Sequence, residues 1–324
     1  MKAIDRVKPC RALIGLVAAF SIGAAAAQGY PSKPIHVIVP FQAGSAPDQV
    51  IRITTQHMQG TLGQPFVIEN KPGANGNLGV AEAARSASDG YTLVSANNTT
   101  FAANPSLYRK LAFDPQKDFT PVARFITTGL ILAVRSDFPA KNLQEFVALA
   151  KANPGKLTAA QASAGMRVSI AMLRSLAGVE VLEVPYKGQP QALQDVLGGQ
   201  VSFTFADYAV GFPQIKAGKI RGLGVTTPKR SPVAPDIPAL GEGIPGFDVT
   251  VWAGMAAPAG TPREVVDALW RAAERALASP QVHPALQAIG FGVEPLDPPA
   301  FAAYIAAETV RWAKMVKEAG IEPE

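Results

Sequence analysis

The chain has 324 residues, 48% of them hydrophobic and 17% charged, and a formal net charge of +5. That length suffices for two domains of ordinary size, each with its own core. A single cysteine excludes a disulfide framework and a cysteine-based zinc site, and no basic cluster with interleaved aromatic residues points to nucleic acid.

Residues 1–27 read as a secretory signal peptide. Lys2, Arg6, Lys8 and Arg11 form a basic n-region, Leu13 to Ala24 is apolar, and Ala25-Ala26-Ala27 fits an A-x-A cleavage site before Gln28. The alternative is an uncleaved anchor, but the stretch is short and rich in small residues for a membrane span. Cys10 precedes the apolar stretch instead of following it, which argues against a lipoprotein. Asp5 offsets one of the four cations, so cleavage removes +3 of the chain's +5 and leaves about +2. His36, His57 and His283 are far apart and form no metal-binding spacing.

The mature chain opens with Tyr30-Pro31-Ser32-Lys33-Pro34 and then Ile35–Phe41, an apolar, β-branched run that predicts a buried strand. It stops at Gln42–Pro47, and Asp48 is placed to cap a helix through Val50, Ile51, Ile53 and Met58. Phe66–Glu69 predicts a second strand, followed by a Gly-rich turn and a helix over Val80 to Ala87. Tyr91–Val94 predicts a third strand ending in the polar tip Ser95–Thr100. Three consecutive β-α units predict a parallel, doubly wound sheet.

Val122 to Val134 is apolar and long enough to cross to a second unit. There the pattern predicts a helix over Leu143–Lys151, a strand over Leu157–Ala160, a loop over 161–167 and a helix over Val168–Ala177. Strand Val179–Val184, helix Ala192–Leu197, strand Val201–Phe205 and strand Lys219–Thr226 follow. After the Pro-rich connection Pro228–Pro245, Val249–Ala256 reads as a second crossing, and helices are expected over Val265–Ala278 and Phe301–Ala319. Residues 28–127 with 250–324 are therefore expected to form one lobe and 128–249 the other. Two lobes joined by two crossing strands can close like a hinge. The loops after Val39, Val94, Ala160 and Phe205 then face the cleft, where open α/β sheets bind ligands.

Known chemistries fit these loops poorly. Residues 43–48 lack the phosphate-loop pattern, Gly73–Gly79 is not G-x-G-x-x-G, and Ser163-Ala164-Gly165 does not meet G-x-S-x-G. Arg167 is the one charged residue at the mouth of the second-lobe loop. It reads either as a ligand contact or as a solvated helix-start arginine.

The runs YPSKPIHVIVPFQAG, IENKPGANGNLG, ANPSLYRKLAFDPQKDFTPVA and VPYKGQPQALQDVLGGQV, in that order, resemble the Bug-type substrate-binding receptors of tripartite tricarboxylate transporters. The resemblance covers essentially the whole mature chain. It implies a two-lobed periplasmic binding protein of type II-like α/β fold, each lobe a doubly wound, mainly parallel sheet. It also implies no enzymatic activity and no cofactor, and a ligand carboxylate held between Ala43-Gly44-Ser45 and the loop starting at Ser163, with bridging waters and main-chain N–H groups. The sequence departs from that pattern in having Arg167-Val168 where relatives have His-Leu, a shorter preceding loop, and Gly44-Ser45 for the more usual Gly-Gly.

The expected ligand-contacting set is Phe41, Ala43, Gly44, Ser45, Asp48, Asn97, Ser163, Ala164, Gly165, Met166, Arg167, Asp207 and Tyr208. Asp48 is assigned mainly to capping. Phe41, Tyr208 and Met166 are expected to offer an apolar wall, which favours an aromatic or a mono- or dicarboxylic acid. The expected partners are that small carboxylate and inner-membrane transporter subunits, with the receptor a monomer that binds no nucleic acid and no metal. The rival readings are a secreted ligand sensor for a signalling partner and a serine hydrolase using Ser163.

Overall fold

The structure, a computed structural model, describes residues 29–324. The expected signal peptide over residues 1–27 lies outside the described residues.

The chain begins β1 (Ile35–Val39), α1 (Ala46–Leu62), β2 (Phe66–Asn70), α2 (Asn77–Ala84) and β3 (Thr92–Asn97). A π-helical turn (Thr99–Ala103), α3 (Asn104–Leu107) and β4 (Phe119–Thr128) follow. Next come β5 (Leu130–Arg135), α4 (Leu143–Ala152), β6 (Leu157–Gln161), α5 (Ala164–Ala177), β7 (Val181–Pro185) and α6 (Gln189–Leu197). Then β8 (Phe203–Asp207), α7 (Tyr208–Lys216) and β9 (Ile220–Val225) complete the middle of the chain. The last part is β10 (Val251–Pro258), α8 (Arg263–Ala278), α9 (Val282–Ala288), β11 (Gly292–Leu296) and α10 (Pro298–Glu318).

Among the described residues the strands form two sheets, a six-stranded one in the order β11-β4-β10-β3-β1-β2 and a five-stranded one in the order β7-β6-β8-β5-β9. We call them lobe 1 and lobe 2. Both sheets are mixed rather than mainly parallel. β1 is parallel to β2 and β3, but β10 runs antiparallel to β3 and β4. In lobe 2, β6 is parallel to β7 and β8, while β5 is antiparallel to β8 and β9. β11 is antiparallel to β4 as well, and of the reversed strands β5 and β10 are the ones by which the chain enters a lobe. A β-α repeat shows only the parallel strands, because the direction of a returning strand is set by topology and not by its own residues.

The expected crossing over Val122–Val134 is two strands broken at Gly129. There a Cβ would meet Thr227 Cγ2 at 2.9 Å. Thr226, fully buried, ties the two crossings together. Its hydroxyl accepts from Leu130 N–H at 2.8 Å and donates to Val249 C=O at 2.6 Å. Its own N–H and C=O bond Leu130 and Val249 as well.

β1 alternates little, and only His36 is exposed, as expected for a strand covered on both faces. β10 is buried along its whole length. Gly254 is required in it, since a Cβ there would collide with Ala123 C=O on β4. The final helix α10 buries Phe301, Ile305, Trp312 and Val316 together with Glu308. The Glu308 carboxylate accepts from the indole N–H groups of Trp252 at 3.2 Å and Trp312 at 3.1 Å, and from Arg311 at 3.1 Å. α10 thereby fixes a tryptophan of β10.

Candidate functional site

The loop after β1 turns at Gly44, whose φ of 79° is open to glycine without strain. Ser45, not Asp48, takes the N-cap of α1, with extended backbone and no side-chain capping bond. Its hydroxyl is buried and has no hydrogen-bond partner. Asp48 lies in the first turn and is not among the residues that line the cleft. Its carboxylate accepts from Gly44 N–H at 2.9 Å, Arg52 Nε at 2.9 Å and Asn70 Nδ2 at 2.9 Å. Burial opposes its charge, but the bonds from Arg52, Gly44 and Asn70 outweigh that and hold its pKa below the ordinary value. Asp48 thus shapes the loop.

At the end of β3, Asn97 Oδ1 accepts from the N–H groups of Thr99 at 3.0 Å and Thr100 at 3.2 Å. That fixes the amide, and its Nδ2 is left buried without a partner. On lobe 2, α5 starts earlier than the periodicity predicts. Ser163 is its N-cap and its hydroxyl accepts from Met166 N–H, so residues 164–167 are the first helical turn and not a loop. Asp207 stands at the N-cap position of α7. Between the lobes lies a cleft of about 670 Å³, its open mouth included.

Of the expected contacts, Phe41, Ser45, Asn97, Ser163 and Asp207 line this cleft. Ala43 and Gly44 are solvent-exposed. Ala164 and Gly165 are buried in the first turn of α5, and a Cβ on Gly165 would touch Val251, Leu130 and the Asn98 amide. Met166 and Tyr208 are fully buried in the core, behind the cleft wall. Arg167 turns away to Glu324, which its Nη1 reaches at 2.8 Å. The apolar wall is built by Phe41, Trp252, Phe291 and Leu130.

Gln42, Asn98, Thr128, Gly188, Gln189, Trp252 and Phe291 also line the cleft and were not anticipated. Gly188 and Gln189 follow a strand and open a helix, so the strand–loop–helix rule had the means to find them. A Cβ on Gly188 would collide with the Gln42 side chain, so the lobes touch there. Trp252 and Phe291 come from β10 and the turn before β11, where no local motif marks a site. Among the residues lining the cleft, Asp207 is the only Asp, Glu, Lys, Arg or His. Lys187 stands farther out, in an adjoining pocket with Pro72, Asn75 and Tyr186.

The arrangement offers hydroxyl and amide donors, two helix starts and an apolar wall to a small molecule. Helix starts carry unpaired N–H groups and favour anions. The family model described as "Tripartite tricarboxylate transporter family receptor" matches residues 50–321. The chain belongs to that family. The periplasmic binding protein BugD is 35% identical, with a TM-score of 0.87, covering 91% of this chain and 100% of its own. A protein of R. palustris with adipate is 32% identical, with a TM-score of 0.88 and coverage of 91% and 100%. MatC from Rhodopseudomonas palustris with bound malate is 36% identical, with a TM-score of 0.83 and coverage of 89% and 100%. The family is one of substrate-binding receptors of periplasmic type, not of enzymes.

Proposed function

We propose that this receptor captures a small mono- or dicarboxylic acid, aromatic or aliphatic, in the inter-lobe cleft and delivers it to membrane subunits of a tripartite tricarboxylate-type transporter. The observation that carries the reading is the pair of unpartnered donors, Ser45 Oγ and Asn97 Nδ2, on a cleft with no cationic side chain among its lining residues. Such a cleft suits one or two carboxylates held by neutral donors and helix starts better than a tricarboxylate, whose charge needs cations. Malate and adipate in the two bound relatives agree with it. The receptor acts in the periplasm as a monomer, after cleavage that leaves a mature chain beginning at or near Gln28. N-terminal sequencing of the exported protein checks that start.

Mass spectrometry of ligand released from the purified, denatured protein tests the reading, together with a thermal-shift panel of carboxylates. A carboxylic acid in the first and a matching shift in the second are expected. A cationic or neutral ligand would sink it. Turnover of simple esters that is lost in Ser163→Ala would favour a hydrolase, although the Ser163 hydroxyl is engaged with Met166 N–H and no histidine lines the cleft.

A further inference from the structure

Asp207 is placed where an aspartate normally caps a helix. Its backbone is extended, with φ −61° and ψ 148°, yet its side chain makes no capping bond to α7. An N-cap Asp ordinarily accepts from an N–H two or three residues on. Here the carboxyl group instead lines the cleft. Its main-chain N–H donates to Gln189 Oε1 at 3.0 Å, and the same cleft-lining side chain also favours the ionised carboxyl.

The polar groups of the two walls are complementary in kind. Lobe 1 presents donors, Ser45 Oγ and Asn97 Nδ2, both without partners. Lobe 2 presents an acceptor, the Asp207 carboxyl. A plain carboxylate satisfies the donors and offers Asp207 no hydrogen-bond donor in return. No cation among the lining residues relieves that. Burial already pushes the Asp207 pKa up to about 7, as expected of a carboxyl group without a charged partner.

We infer that Asp207 reads a hydrogen-bond donor carried by the ligand beside its carboxylate, an ammonium or a hydroxyl group, so that the cleft selects amino- or hydroxy-substituted acids over the parent acids. The inference rests on the carboxylate-receptor reading and adds the second half of the ligand. The carboxylate meets the lobe 1 donors, the substituent meets Asp207, and closure of the lobes brings both contacts together. A charge-assisted bond of this kind is worth about ten- to a hundredfold in affinity.

Calorimetry on the mature protein with matched triads tests it: propanoate, lactate and alanine; succinate, malate and aspartate; 3-phenylpropanoate, phenyllactate and phenylalanine. Within the triad that fits, the substituted acid is expected to bind about ten- to a hundredfold more tightly than the parent. Asp207→Ala should remove the preference. Asp207→Asn keeps a good N-cap residue and a carbonyl acceptor, so it should remove a preference for ammonium and spare one for hydroxyl. Circular dichroism melting confirms that both variants fold. Equal affinity for parent and substituted acid, or a preference that survives Asp207→Ala, overturns the inference and leaves the receptor reading standing. Failure of every acid in all three triads overturns both.

Discussion

Arg167 on α5 of lobe 2 donates from Nη1 to Glu324 Oε1 at 2.8 Å. Glu324 is pinned to lobe 1, where its N–H bonds Leu107 C=O at 3.0 Å and its C=O accepts from Arg109 N–H at 2.9 Å. The one arginine expected to reach the ligand is thus a tie between the lobes, outside the cleft.

The consequence for affinity follows from exposure. The Glu324 side chain is 57% exposed and that of Arg167 24%, and ion pairs of this kind contribute about 0–1 kcal/mol. Arg167→Ala is expected to weaken ligand binding by no more than about fivefold, through closure, and the difference should shrink in high salt. Calorimetry at low and high salt measures it. A tenfold or larger loss that salt does not change would put Arg167 on the ligand.

Much of the fold was legible because it depends on local pattern. β1, β3, β6 and β8 are short apolar runs ended by small or polar residues, and α5, α8 and α10 have apolar residues at helical spacing. α9 and β11 were not legible: Val282–Ala288 is a helix of only two turns, and Gly292–Leu296 contains Pro295 and little alternation. In the site, the loop ends that carry Ser45, Asn97, Ser163 and Asp207 followed from where strands stop. The charged residues did not follow. Asp48 accepts a hydrogen bond from Asn70, 22 residues on, and Arg167 is paired with Glu324, 157 residues on. Charge and position along the chain show that such a group needs a partner, but not that the partner is protein instead of ligand.

The tie between the two crossings makes a second test. Thr226→Val keeps the shape of the side chain but leaves Leu130 N–H without its hydroxyl acceptor and Val249 C=O without its hydroxyl donor. Each buried group so affected costs about 1–3 kcal/mol. Urea unfolding should show a loss of about 2–4 kcal/mol with an unchanged m value. A loss under about 0.5 kcal/mol, the range of ordinary surface substitutions, would mean that the main-chain bonds alone hold the crossings together.

Glu308 offers a third. Its side chain is 7% exposed, and it receives two indole N–H groups and Arg311. Glu308→Ala strands both buried indole N–H groups and takes one of two carboxylates from Arg311, which keeps Asp248 at 2.8 Å, so a loss of about 3 kcal/mol is expected. Trp252 faces the cleft on its other side, so ligand-induced change in tryptophan fluorescence should weaken as well. Unchanged melting in Glu308→Ala would refute the account of α10 as the support of the cleft wall.

Asp207 carries the last prediction, in the ligand-free protein. Burial raises its pKa from 3.8 to about 7 in the folded chain. Between those two values the folded state binds a proton that the unfolded state has released. Stability therefore falls as pH rises through this window. The contribution is full below the unfolded value and gone above the folded one. Asp48, Glu69 and Asp114 are shifted the opposite way, below their ordinary values, so their stabilisation is lost only in stronger acid and does not mask the effect. Melting temperature of the apo receptor should decline from about pH 5 to about pH 8, and Asp207→Asn should flatten the decline. A ligand that brings an ammonium group to Asp207 stabilises the ionised form, and the decline should then vanish in the complex. Parallel pH profiles for wild type and Asp207→Asn would show that the carboxyl group is solvated and titrates as an ordinary aspartate.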